Sequence, residues 1–79
     1  MIAGVVIETV AGAEPRVAAR LLRVSGLTLQ GGDGQRRIAA VLEGPDGTTL
    51  EQLTERLVSL DAEILGVFPT FVADEADPP

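Results

Sequence analysis

Residues 27–43, LTLQGGDGQRRIAAVLE, decide the fold. Leu27 to Gln30 reads as a short strand, Gly31-Gly32-Asp33-Gly34 as a tight hairpin loop, and Arg37 to Glu43 as the returning strand. Alternation along the returning strand puts Ile38, Ala40 and Leu42 on one face, and Arg37, Ala39, Val41 and Glu43 on the other. The Gly44-Pro45-Asp46-Gly47 stretch then breaks the chain. What lies on either side of this hairpin sets the topology.

Upstream, Ile2 to Glu8 (IAGVVIE) is rich in β-branched residues and almost wholly apolar, as a central strand should be. Thr9 to Ala13 reads as a loop, and Pro15 falls where a first helical turn tolerates it. Val17, Ala18, Leu21, Leu22 and Val24 then form one apolar stripe, while Arg16, Arg20 and Arg23 line the other side as a solvated face. Ser25-Gly26 supplies the stop. Downstream, Thr48 with Glu51 three residues later reads as a capping box. Leu50, Leu53, Leu57 and Leu60 keep the helical period, with Gln52, Glu55, Arg56 and Ser59 outward and Asp61-Ala62 closing the helix. Ile64 to Ala73 (ILGVFPTFVA) is the last strand, and residues 74–79 are an acidic tail, ended by prolines and expected to fray.

The order is therefore β-α-β-β-α-β. Right-handed crossovers put both helices on one face of a four-stranded antiparallel sheet of order 4-1-3-2, an α+β, ferredoxin-like fold. Pro69 inside the final strand fits an edge position, which is where this order places strand four. Residues 1–73 form one domain, and the face opposite the helices is left open.

At 79 residues, a single core is only marginally sufficient, and the 46% hydrophobic content argues against disorder. No apolar run approaches the roughly 20 residues that span a bilayer, so membrane insertion is not expected. No basic region precedes an apolar stretch at the N-terminus, which leaves a cytoplasmic location as the expectation. The net charge is −6 and every positive charge is an arginine, so phosphate backbones and anionic lipid are poor partners and a basic partner is the natural complement.

The chain carries no His, Cys, Lys, Asn, Tyr or Trp, which removes most routes to an active site. The glycine cluster is not a phosphate loop, because no Lys-Ser/Thr pair opens a helix after it. Arg36-Arg37 is internal and precedes a strand, so it reads as a solvated strand start rather than an export signal. Asp74, Glu75 and Asp77 cluster on a tail that cannot fix them for acid–base work or a metal. No catalytic residue, cofactor or metal is expected. A metallochaperone would need Cys-x-x-Cys, and an RNA-binding sheet would need aromatics on its central strands, whereas Phe68 and Phe71 both lie on the final one. An amino-acid-sensing regulatory domain stays open.

Taken together, several segments resemble the NapD family, the cytoplasmic assembly chaperones of periplasmic nitrate reductase. They are IAGVVIE, EPRVAARLLRVSG, RIAAVLE, TTLEQLTERLVSL and the closing ILGVFPTFVADE. In that family a Val-Leu strand runs into a Tyr-His pair before an acidic tail. Here Phe71-Val72 stands in that place ahead of Asp74-Glu75, and the loop Val10 to Glu14 is longer. The resemblance implies a chaperone that binds the twin-arginine signal peptide of a molybdenum-containing nitrate reductase and delays export until the cofactor is inserted. Ala39, Val41, Phe68 and Thr70 would then receive the apolar side of the peptide, with Glu8, Glu43, Asp74 and Glu75 paired to its arginines. The alternative is a dimeric regulatory or small-ligand module whose open face is covered by a second copy.

Overall fold

The computed structural model describes residues 1–73. The elements are β1 (Ile2–Thr9), α1 (Glu14–Leu21), β2 (Leu27–Gly32), β3 (Arg37–Glu43), α2 (Gly47–Leu60) and β4 (Ile64–Ala73). One antiparallel sheet has the order β2-β3-β1-β4, with both helices on one side, which is the expected ferredoxin-like α+β fold.

The core follows from the alternation. Ala3, Val5 and Ile7 of β1 and Ile38, Ala40 and Leu42 of β3 face the helices and are buried against Val17, Leu21, Leu50, Leu53 and Leu57. At about 25 cal/mol per Å2, this apolar burial is the main term opposing the chain's conformational entropy. Both helices thus cover the sheet with their apolar stripes. β4 is at an edge as Pro69 requires.

Several local features differ from the expectation. β1 continues through Thr9, whose backbone N–H donates to Arg36 O at 2.7 Å, so the loop begins later. α1 ends at Leu21, because Arg23 N–H bonds Arg20 O and Val24 N–H bonds Leu21 O, a three-residue spacing that tightens the last turn. Leu22, one residue past the Val17–Leu21 line that faces the sheet, is 75% exposed rather than core. Leu60, at the very end of α2, is likewise 71% exposed, since Leu57 is the last leucine that reaches the sheet.

The start of α2 also differs. Its N-cap is Asp46, whose carboxylate accepts the Thr49 N–H at 2.8 Å, in place of the Thr48–Glu51 capping box. Glu51 is therefore free of a capping role. Finally, Arg16 and Arg20 do not form a merely solvated row. Arg16 pairs with Glu63, and Arg20 pairs with Asp61 at 2.7 Å and Glu63 at 2.8 Å, because the turn after α2 runs alongside α1. These bonds, Arg16 first, pull the Glu63 carboxyl down from 4.5 to about 2, and the Arg20 guanidinium holds Asp61 below its ordinary value.

Candidate functional site

The open face is built from two cross-strand rows. Gly4 of β1 lies between Val41 of β3 and Phe71 of β4, and Val6 lies between Ala39 and Phe68. Ile2 continues the face at one end between Glu43 and Ala73, and Glu8 closes the other between Arg37 and Gly66. Ala39, Val41 and Phe68 are thus brought together as expected, with the exposed–buried alternation of β3 confirming its two faces.

Two residues change the character of this face. Between Gly4 and Val5 the register of β1 against β4 shifts, so that Gly4 pairs with Phe71 and Val5 with Pro69, leaving Thr70 as an extra residue. A bulge of this kind interrupts the period-two alternation. Strict alternation would have sent Phe71 to the helix side; the bulge turns it onto the open face beside Thr70. The glycines show where the rings lie. A Cβ added to Gly4 would overlap the Phe71 ring and come within 2.8 Å of Thr70 Oγ1, and one added to Gly66 would meet the Phe68 ring at 2.8 Å. Each phenylalanine is laid over a glycine that has no side chain to displace it.

The rings remain half open to solvent, Phe68 at 54% and Phe71 at 50%. Sequence reasoning missed Phe71 as a site residue. The available signal was the pair Gly4 and Gly66, two glycines on strands that also carry or adjoin the only aromatics.

The two acidic site residues that are described, Glu8 and Glu43, do not converge. Glu43 and Glu8 stand at opposite ends of the face, about 20 Å apart along the strands at about 3.3 Å per residue, and Glu8 is opposite Arg37. The Glu43 end therefore carries a carboxylate near the N-terminal ammonium, which donates to Gly44 O at 2.9 Å, and the Arg37 end pairs a carboxylate with an arginine. Asp74 and Glu75 lie outside the described residues. Arg36 and Arg37 are held at the hairpin, where Asp33 Oδ1 accepts the backbone N–H groups of Gln35, Arg36 and Arg37 at 2.8, 2.9 and 3.0 Å. Those donors, Arg37's first, lower the Asp33 carboxyl.

No family model, curated protein or solved structure compared with the chain matches it. Among the described residues, no group of three or more acidic side chains is placed to hold a metal ion, and no helix is long and apolar enough to cross a membrane.

Proposed function

We propose that the open sheet face is a receiving surface for an apolar, helix-forming peptide with a basic end, and that its occupant is a twin-arginine signal peptide of a molybdenum-containing nitrate reductase. The observation that carries the reading is the pair of half-exposed phenylalanine rings laid over Gly4 and Gly66, next to Val6, Val41 and Ala39. A contiguous apolar strip with anchored aromatics is the kind of surface that buries a partner.

The strip also has a direction. Glu8 stands opposite Arg37 at one end, whereas Glu43 at the other is opposite Ile2, so the arginines of the peptide pair at the Glu43 end and its apolar length runs toward Phe68. A helix of about 13 residues spans about 20 Å, the length of the strip between the two glutamates. In this reading the protein is a chaperone rather than an enzyme. Its role is to hold a leader peptide until cofactor insertion is complete, and it works in the cytoplasm, where such leaders are made.

The test is calorimetric titration of the full chain with the leader peptide of a periplasmic nitrate reductase, against twin-lysine and scrambled versions. Micromolar or tighter binding that weakens with both controls supports the reading. Equal heats from all three peptides, or no heat, reject it and favour a face covered by a second copy of the chain, which sedimentation would then detect as a dimer.

A further inference from the structure

On the helix side of the sheet, away from the open face, a cleft of about 420 Å3 separates the N-terminal half of α2 from the C-terminal half of β4. That volume falls in the range of small-molecule sites, roughly 300–1,000 Å3. Ala3 and Val5 line it together with Leu50 of α2 and Val67, Pro69 and Val72 of β4. The cleft exists because α2 is set against the first part of β4. Ile64 is buried there, whereas Val72, on the same side of the strand, is exposed.

Two carboxylates also line it. Glu51 and Glu55 are four residues apart on α2, hence one above the other on a single helical face, and both line the cleft. No arginine lines it, and the N-terminal ammonium of Met1, which also lines it, is engaged with Gly44 O at 2.9 Å. The three ion pairs found among the described residues engage Asp61 and Glu63, not these glutamates. Nor is Glu51 occupied in capping, which Asp46 performs. An apolar cleft edged on one wall by two carboxylates outside every ion pair among the described residues is complementary to a cation that carries a hydrocarbon body.

We propose that the cleft between α2 and β4 binds a small organic cation, with its ammonium group at Glu51 and Glu55 and its hydrocarbon chain against Val67, Pro69 and Val72. The anions attract the head group, and the cleft removes the chain from water. This site is separate from the open face, so it stands or falls independently of the peptide reading.

The experiment titrates the isotope-labelled full chain with n-hexylammonium, with hexanol and hexanoate as matched probes, and follows amide and methyl shifts. Saturable shifts at Ala3, Leu50, Val67 and Val72 are expected, with hexylammonium bound about tenfold more tightly than hexanol, the sum of two surface ion pairs. That preference should shrink as salt is raised. The double variant Glu51→Gln, Glu55→Gln changes two exposed side chains, so circular dichroism should show an unchanged fold. It should abolish the preference for hexylammonium while leaving the hexanol shifts in place. Equal affinity for hexylammonium and hexanol in the wild type, shifts confined to Phe68 and Phe71, or no saturable shift at millimolar probe would overturn the proposal.

Discussion

Replacing Phe71 by alanine is the perturbation that most sharply divides the account from its rivals. A phenylalanine side chain buries about 200 Å2 when fully enclosed, and Phe71 is 50% exposed, so about 100 Å2 remains for a partner to cover. At about 25 cal/mol per Å2 that area is worth up to ~2.5 kcal/mol of binding. Alanine still covers part of it and the docked peptide relaxes, which brings the expected loss to about 1–2 kcal/mol, or about 5- to 30-fold in Kd. The half of the ring already buried on Gly4 contributes to folding, so a lower melting temperature is expected as well. Calorimetry with the leader peptide should therefore be run well below the transition, with a denaturation curve for the same sample. A folded Phe71→Ala protein that binds the peptide as tightly as wild type would refute the assignment of this ring to the receiving surface.

Other outcomes follow from the same geometry. Val41→Asp places a charge in the middle of the Val41–Gly4–Phe71 row; it should leave the fold intact and weaken peptide binding about tenfold, and unfolding instead would show that β3 buries this face. Leu53→Ala truncates a core side chain and should cost about 2–5 kcal/mol in urea unfolding. Glu63 has a carboxyl depressed in the folded state to about 2 from 4.5, so its ion pairs with Arg16 and Arg20 stabilise fully above about pH 4.5 and the contribution is lost as pH falls toward 2. Glu63→Gln should accordingly be less stable than wild type at neutral pH, with the difference closing across that acid window in denaturation curves taken at stepped pH.

The order of elements was legible because each carried a local signal. Ile38, Ala40 and Leu42 alternate with Arg37, Ala39, Val41 and Glu43, and the burial of β3 follows that alternation residue by residue. Pro69 told of an edge, and β4 is one. What local pattern could not supply was any feature set by two distant segments. The bulge at Thr70 arises from how β4 is laid against β1, and it reversed the side on which Phe71 falls. The pairing of Arg16 and Arg20 with Asp61 and Glu63 needed the turn after α2 to pass beside α1, more than 40 residues away in sequence. Leu22 and Leu60 obey the helical period yet lie where helix ends tighten or overrun the sheet, so periodicity alone overstated the core. Of the site, the β3 residues were readable from alternation, whereas the placing of Glu8 and Glu43 at opposite ends of the face depends on the register of β1 against β3.

The most direct test of the receiving face is a chemical-shift titration of the labelled full chain with the twin-arginine leader peptide. The account predicts saturable changes at Gly4, Val6, Ala39, Val41, Phe68 and Phe71, with the spin-labelled basic end of the peptide broadening Glu43 and not Arg37. Changes restricted to the helices, or broadening at Arg37 with Glu43 untouched, would contradict it.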